Sequence, residues 1–317
     1  METAWKETGD RDEALAVRFT RRECLICEPS FYARVTTVVV PMIIQNTLTN
    51  IVGLLDNVMV GQVGTIPMSA VAIVNQILFI FYLCVFGALA GAGIYSTQYF
   101  GKGDMEGVRA SIRFKLITAA VIVTVAILIL ISIGGFLISL YISKETTPVD
   151  REATIRFGLS YLYVMLIGLV PFGLTQCYGS AMRESGKTTL PMIASMTAMV
   201  VNFILNALLI FGMFGLPVLG VLGAAIATVV SRFVELSIVL IGAHIPNTKY
   251  PFFKGLYRTF VIPGDLARQI LLKSTPLFAN EFLWSLAQAF LLQAYSLRNM
   301  QVIAAMNISG TISQIFN

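Results

Sequence analysis

Long apolar runs recur along almost the whole chain, and they constrain its fold more than any other feature. Charged residues make up 12% of the 317 residues, whereas soluble domains carry roughly 25%. Each run is long enough to cross a bilayer as a helix, and the residues are continuously apolar rather than alternating, which favours helices over the strands of a membrane barrel. We therefore predict an all-α, polytopic membrane helix bundle. The runs lie at about 34–60, 68–100, 116–142, 157–182, 189–214, 218–242 and 269–296, and an eighth starts near 300.

The Lys and Arg residues are distributed unevenly between the two sides of such a bundle. Of the 22 basic residues, 17 lie in the N-terminal segment and in the connections on its side of the membrane. Cytoplasmic loops carry the excess of basic residues in membrane proteins. This pattern predicts a cytoplasmic N-terminus, with residues 1–30 as a cytoplasmic lead-in. It also explains the net charge of +5 without a nucleic-acid partner.

The connection at 243–268 divides the chain. It is the longest and most polar of the connections, so we predict a six-helix lobe over 31–242 and the start of a second lobe over 269–317, with the seventh helix lying apart from the first six. A shift of the sequence by 235 residues places Pro41 on Pro276, and both prolines are expected to kink their helices. Parallel repeats of this kind are a known transporter architecture. We therefore expect this sequence to contain only the start of a second, pseudo-symmetric lobe, with the seventh helix and part of an eighth.

One carboxylate lies inside the first apolar run. A charged Asp56 at mid-bilayer costs about 2.5–3.5 kcal/mol, and such residues mark ion paths. Asn202 and Asn206 share one face of the fifth helix, and amides in hydrocarbon require partners. Helix directions place both at the depth of Asp56 and of Thr228 in the sixth helix. These oxygens suit Na⁺, and a poorly solvated carboxylate can take up H⁺ instead. Alternatively, Asp56 is solvated at a helix end and the amides only join helices.

Two further acidic residues fall within the apolar runs. Glu235 lies three residues after Arg232, a spacing that predicts an ion pair on one helical face. Glu281 lies near mid-depth of the seventh helix, beside Asn280 and close to Trp284. A cationic substrate would meet Glu281 by charge and Trp284 by a cation–π contact. The alternative is a protonated Glu281 that hydrogen-bonds between lobes.

Motifs for catalysis are absent from the sequence. It contains no HExxH, P-loop or GxSxG pattern, so hydrolysis and ATP-driven chemistry have no candidate residues and no enzyme or cofactor is predicted. Cys24 and Cys27 form a CxxC motif, but no second Cys/His pair accompanies it to complete a zinc site. Gly87 and Gly91 have the spacing that lets two helix backbones pack closely.

Several of these segments together resemble the multidrug and toxic compound extrusion (MATE) family of antiporters, over about residues 30–317. The resemblance implies twelve helices in two six-helix lobes that face each other in a V. The segments are Pro41 to Asp56 with the Asp-x-x-Met-x-Gly form ending at Gly61, Gln98-Tyr-Phe-Gly-Lys-Gly-Asp104, Arg183-Glu-Ser-Gly-Lys-Thr-Thr-Leu-Pro-Met192, Asn202-xxx-Asn206, Gly220-Val-Leu-Gly-Ala-Ala-Ile-Ala-Thr228, and Asn280-Glu-x-x-Trp284.

The resemblance also implies a function and roles for residues. Members export amphipathic, often cationic small organic compounds in exchange for H⁺ or Na⁺. Here this implies a monomer in the cytoplasmic membrane of a bacterium. Asp56 would take the place of the first-helix ion-binding Asp, and Asn202 and Asn206 that of the fifth-helix polar pair. Two positions depart from the pattern. Some members have Asp at the position of Asn206, and in several branches the helix-7 acid occupies the position of Trp284.

Two other functions compete with this one. A lipid-linked oligosaccharide flippase of the same superfamily needs a cationic cavity for anionic phosphate headgroups. The apolar runs instead hold two unpaired acids, Asp56 and Glu281, and one cation, Arg232 beside Glu235, which argues against such a cavity. A seven-helix receptor predicts no repeat and no eighth helix, and the apolar stretch from Val302 argues against that.

Overall fold

A computed structural model describes most of the chain from residue 29 onwards. The described ranges are 29–143, 146–215, 217–245, 250–259, 261–296, 305–306 and 309–310. Most of the N-terminal lead-in, including Cys24 and Cys27, lies outside the described residues, as does nearly all of the predicted eighth helix.

Seven long helices account for most of the described residues, and no strand occurs among them. The all-α prediction is therefore confirmed. The helices are α1 Pro29–Gly61, α2 Thr65–Lys102, α3 Met105–Ser139, α4 Pro148–Glu184, α5 Thr189–Phe211, α6 Val221–His244 and α7 Gly264–Ser296. Helices α2 to α6 are each long and apolar enough to cross a membrane, whereas the spanning of α1 and α7 stays a prediction.

Local sequence explains where these helices begin and end. Before α3, the Asp104 carboxylate accepts hydrogen bonds from the backbone N–H groups of Glu106 and Gly107, at 3.1 and 3.0 Å, which satisfies two of the free donors of a helix start. Gly103 ends α2 with a φ of 76°, a conformation that glycine adopts without steric cost. Thr147 caps α4 in the same way as Asp104 caps α3.

The chain divides into two compact units, Met1–Val40 and Pro41–Asn317. The first is described only from Pro29 to Val40, as the start of α1. The second contains the hydrophobic core, which joins α2, α3, α4 and α6. Pro41 and Pro276 both lie inside continuous helices, so a kink at either stays a prediction. Core side chains with no exposure include Ile73, Leu78, Leu130, Leu162 and Ala225.

Helix α7 packs along α2, so the prediction that the seventh helix lies apart from the others is wrong. A Cβ placed on Gly87 would lie 3.1 Å from Glu281 Cγ, and one on Gly91 would lie 2.6 Å from the Ser274 backbone nitrogen. The physical reason is the pair of glycines, because a helix face without side chains lets a second backbone approach closely. The division of the chain into two lobes stays a prediction.

The connection before α7 is anchored by apolar residues, although its sequence is polar. It forms two short 3₁₀ turns, Pro251–Phe253 and Leu256–Arg258. Phe252, Phe253 and Leu256 are buried against residues of α3, α4, α5 and α6. Over the described residues 250–259, the connection between α6 and α7 therefore packs against one end of the bundle and is not a solvent-exposed linker.

Candidate ion and substrate site

The structure brings Asp56, Asn202 and Asn206 into direct contact. The Asn206 Nδ2 donates to Asp56 Oδ1 at 2.6 Å and to Asn202 Oδ1 at 3.1 Å. The i,i+4 spacing places both amides on the face of α5 that meets α1 and α6, as the sequence predicted. Asn202 and Asn206 are 5% and 1% exposed, so both amides lie inside the bundle, whereas Asp56 is half-buried.

Thr228 of α6 completes this cluster. Its hydroxyl accepts from Asn202 Nδ2 at 3.3 Å and donates to the Ala224 carbonyl oxygen at 3.0 Å. A chain of hydrogen bonds therefore runs from Asp56 through Asn206 and Asn202 to α6. We call these four side chains, Asp56, Asn202, Asn206 and Thr228, the Asp56 cluster.

The oxygen and nitrogen ends of the Asn202 amide have the same shape, and each would suit a different state of Asp56 if it faced the carboxylate. In one orientation of the amide, its oxygen faces the two Asp56 oxygens at 3.0 and 3.2 Å, and such a contact between acceptors requires a proton or a cation. After a half-turn the nitrogen occupies that place and donates to the carboxylate, which suits an ionised, empty Asp56. The end of the Asn202 amide that faces Asp56 therefore determines whether it suits a charged or a neutralised carboxylate.

One buried oxygen of the cluster has no protein partner among the described residues. The Asn206 Oδ1 is buried and accepts no hydrogen bond there, and an unpaired buried acceptor is costly. A cation or a water molecule could satisfy it. In the described part of the chain, no group of three or more His, Cys, Asp or Glu side chains is placed to hold a metal ion, so one carboxylate with amide and hydroxyl oxygens is the donor set on offer.

The predicted ion pair between Arg232 and Glu235 does not form, and each residue has another partner. Arg232 Nη2 donates to the Tyr82 hydroxyl at 2.7 Å, and its guanidinium carbon lies 4.8 and 5.1 Å from the ring centroids of Tyr82 and Phe172. The aromatic rings of α2 and α4 therefore hold the cation from outside α6, a contact that helical spacing could not reveal.

Glu235 belongs to a separate polar contact between α1, α5 and α6. It accepts a hydrogen bond from Ser195 Oγ at 2.5 Å, and Ser195 in turn accepts from Gln45 Nε2 at 2.7 Å. Gln45 and Asp56 lie eleven residues apart on α1, so the contact joins the same three helices as the Asp56 cluster but about 16 Å along the helix axis.

The predicted substrate residues lie on α7, apart from the Asp56 cluster. Glu281 is half-buried against α2 at Gly87, and Asn280 is exposed. Trp284 is 50% exposed, and its ring centroid lies 5.9 Å from that of Phe79 on α2. Glu281 and Trp284 therefore both contact α2, and the structure places neither in contact with Asp56.

A buried ion pair was missed by the sequence reasoning, which placed Lys115 in a connection. Lys115 Nζ donates to the two carboxylate oxygens of Glu184 at 2.5 and 2.6 Å and to Ser180 Oγ at 3.1 Å. The Lys115 side chain is fully buried and that of Glu184 is 17% exposed. The ion pair between Lys115 and Glu184 joins α3 to α4 beside Gly93 of α2. A Lys at the edge of an apolar run gives no signal of such a partner 69 residues away.

Comparison with known proteins places this arrangement in a family. The MatE family model matches residues 41–208, more than half of the chain and including Asp56, Asn202 and Asn206. The chain belongs to the MatE family. It is 28% identical over 206 residues to a probable multidrug resistance protein NorM of Thermotoga maritima, covering 65% of this chain and 43% of that protein. The chain spans about half the length of the curated relatives it matches.

Solved structures of MatE relatives share its fold. A multidrug resistance MATE family transporter of the MOP superfamily in an inward-facing conformation matches with a TM-score of 0.71 and 19% identity, over 88% of this chain and 61% of that one. An outward-facing conformation gives the same TM-score with 17% identity, over 89% of this chain and 63% of that one. The resemblance stated from the sequence is confirmed, and this MatE chain is a multi-pass membrane protein.

Proposed function

We propose that this MatE chain belongs to a secondary active antiporter that exports amphipathic, often cationic small organic compounds in exchange for H⁺ or Na⁺. Two kinds of observation support the proposal. The related NorM protein is named as a probable multidrug resistance protein, and the solved neighbours of the same fold are described as multidrug resistance transporters. Within this chain, the Asp56 cluster supplies a half-buried carboxylate held by two buried amides, as a coupling ion would require.

The contact between Asp56 and Asn206 carries the proposal. The Asp56 carboxylate accepts a hydrogen bond from a buried amide at 2.6 Å inside a bundle of apolar helices. An ionisable group in this position costs folding free energy, and such groups usually bind or relay ions. When the cluster is open to water on one side of the membrane, the charged form of Asp56 would be favoured. When the cluster is closed to water, the form of Asp56 neutralised by an ion would be favoured. The ion can shift the balance between the open and closed states only through a difference in its affinity for them. Removing the charge of Asp56 should therefore remove the coupling between ion entry and export.

For a proton, the Asn202 amide provides the change between states. A protonated Asp56 donates to Asn202 Oδ1, and Asn202 Nδ2 then donates to Thr228. An ionised Asp56 instead accepts from the nitrogens of both Asn202 and Asn206. Both arrangements keep the carboxyl group hydrogen-bonded, as a buried polar group requires.

For Na⁺, the oxygen atoms of Asp56, Asn202 and Thr228 would bind the ion, and the unpartnered Asn206 Oδ1 would turn towards it. These hard oxygen ligands suit an alkali cation. A single carboxylate matches the single charge of either ion, so the site is compatible with both.

For the substrate, we propose that Glu281, Asn280 and Trp284 line the cavity together with α2. Trp284 is half exposed and Glu281 is half-buried, so both side chains can reach a bound compound. An amphipathic cation would meet the carboxylate by charge and the indole by a cation–π contact. The proposed setting is a monomer in the cytoplasmic membrane of a bacterium with a cytoplasmic N-terminus.

Uptake of a fluorescent cation into inverted membrane vesicles, driven by an imposed H⁺ or Na⁺ gradient, tests the proposal. The Asp56→Asn variant should insert normally and lose gradient-driven uptake. The matched control is Glu152→Gln, which neutralises an exposed carboxylate on α4 and should transport as the unchanged chain does. Uptake by Asp56→Asn at near the original rate under both gradients would show that Asp56 is only structural, and Glu281 would become the first candidate.

One observation favours the flippase as a second candidate. Arg232 is not neutralised by Glu235 and stays available as a half-buried cation beside Tyr82. The pairing of Arg232 with Glu235 therefore no longer argues against a phosphate-binding cavity, although the apolar runs still hold the two acids Asp56 and Glu281. Replacing the cationic dye in the same vesicles with an anionic one distinguishes the two candidates, since a flippase-like cavity should prefer the anion.

A further inference from the structure

Four basic side chains meet in one cavity at the end of the bundle where α3 begins. The cavity has a volume of about 630 Å³ and lies between α3 and the docked connection at 250–259. Two of its basic residues come from each element, and one carboxylate is present. The lining includes Arg109 and Arg113 of α3, Lys254 and Arg258 of the connection, and Glu106.

The two α3 arginines are held in place by the protein. Glu106 accepts from Arg109 at 3.0 Å and from Arg113 at 2.7 Å. Arg113 is 3% exposed and also donates through Nε to the Leu256 carbonyl oxygen at 2.9 Å. Their guanidinium groups are thus fixed at the cavity wall before any ligand arrives.

The charges in the cavity do not balance. Four cations face one carboxylate, which leaves a net charge of about +3 in a confined space, and Lys254 and Arg258 are exposed at its mouth. The buried Arg109 Nε has no hydrogen-bond partner among the described residues. The start of α3 adds the positive end of its helix dipole. Each of these features favours an anion with several acceptor oxygens.

The expected depth of the cavity favours a lipid headgroup as the source of that anion. Arg113 lies three residues before Leu116, where the apolar run of α3 begins, and three helical residues span about 4.5 Å. Polar headgroup layers occupy roughly 5–8 Å on each side of the hydrocarbon. By this spacing Arg113 would lie in the headgroup layer and Arg109, about one helical turn further out, at its outer edge. Basic pockets between helices at this level bind anionic headgroups.

We propose that this cavity binds the phosphate of an anionic lipid headgroup, and that the bound lipid fastens the 250–259 connection to α3. The connection leads directly into α7, so the lipid would stabilise the placement of α7 on α2. The proposal does not depend on the exported compound or on the coupling ion. It stands or falls separately from the antiport proposal.

The test is the thermal stability of the purified chain in nanodiscs. One set contains phosphatidylcholine alone and the other adds phosphatidylglycerol, which should raise the melting temperature of the unchanged chain by several degrees. The variant Lys254→Gln with Arg258→Gln should lose most of that increase. The matched control is Lys187→Gln with Arg268→Gln, which removes two exposed cations outside the cavity lining and should keep the increase.

Native mass spectrometry of retained phosphatidylglycerol measures the binding itself. Each basic residue near an anionic surface strengthens binding about fivefold, so the double variant should retain the lipid roughly thirtyfold more weakly. The single Arg258→Gln variant, with an expected loss of about fivefold, serves if the double variant does not fold.

Two results would overturn the proposal. Equal losses in the cavity variant and the control would show a general effect of surface charge. Stabilisation of the chain in phosphatidylcholine by inorganic phosphate alone, to the same extent as by phosphatidylglycerol, would show a site for free phosphate rather than for lipid.

Discussion

Close packing between α2 and α7 predicts a large effect from a single methyl group at Gly91. A Cβ there would lie 2.1 Å from Ser274 Oγ, 2.6 Å from its backbone nitrogen and 2.7 Å from its Cα. The hydroxyl can rotate away, but the backbone atoms cannot. For the Ser274 backbone nitrogen, the nearer of the two backbone atoms, to regain an ordinary contact of 3.4 Å, α7 has to move by roughly 0.8 Å. We therefore expect Gly91→Ala to move α7 away from α2.

The magnitude follows from two opposing effects. Overpacking of a well-packed contact typically costs about 1–3 kcal/mol, whereas replacing a helical glycine by alanine returns roughly 0.5–1 kcal/mol through lower backbone entropy. Gly101 provides the matched control, because it lies in the same helix and a Cβ there meets nothing within 4 Å. We expect Gly101→Ala to be neutral or slightly stabilising and Gly91→Ala to lie about 1–3 kcal/mol below it.

Denaturant unfolding in detergent measures this difference, and the fluorescence of Trp284 reports where it arises. The chain has two tryptophans, so a Trp5→Phe background leaves Trp284 as the sole fluorophore beside Phe79 of α2. Displacement of α7 should shift the Trp284 emission in Gly91→Ala and leave it unchanged in Gly101→Ala. Equal stability and equal emission for the two variants would refute the tight contact between α2 and α7.

Two further predictions concern the charged side chains that the sequence reasoning misplaced. Lys115→Met should lower the free energy of unfolding by about 3–5 kcal/mol because it leaves the Glu184 carboxylate unpaired. Adding Glu184→Leu should restore most of that loss. A double variant as unstable as the single one would show that the unpaired carboxylate is not the cause. Arg232→Met should strengthen binding of a cationic dye several-fold, since it frees the rings of Tyr82 and Phe172 for a cation from outside. Dye titration measures this effect, and unchanged affinity would show that the rings lie away from the substrate cavity.

Much of the fold could be predicted from the sequence because the governing signals are local. A continuous apolar run must form a helix in a bilayer, since only intrahelical hydrogen bonds satisfy the backbone there. The seven predicted runs accordingly correspond to α1 to α7, although α3 and α4 begin at Met105 and Pro148, well before the predicted starts at 116 and 157. The contact between Asn202 and Asn206 follows equally from spacing, because residues four apart share a helical face. The cost of burying Asp56 then predicted that these polar groups would meet.

Only the tertiary structure decided which helix faces which. Glu235 lies one helical turn from Arg232, yet the cation turns to Tyr82 on α2, because rings and a hydroxyl from neighbouring helices offer it a better-matched environment. Lys115 was counted as a loop cation and is instead buried against Glu184 of α4. Residues of one helix cannot specify partners that lie far away in sequence.

The position of α7 shows the same division between local and non-local information. The sequence indicated a close contact at Gly87 and Gly91 but not which helix would occupy it, and the polarity of the connection at 243–268 favoured a separate α7. The structure seats Phe252, Phe253 and Leu256 in the bundle and lays α7 on the glycine face of α2. Whether a segment forms a helix depends on its own sequence. Which helix it packs against depends on shape complementarity between surfaces that form only when the chain folds.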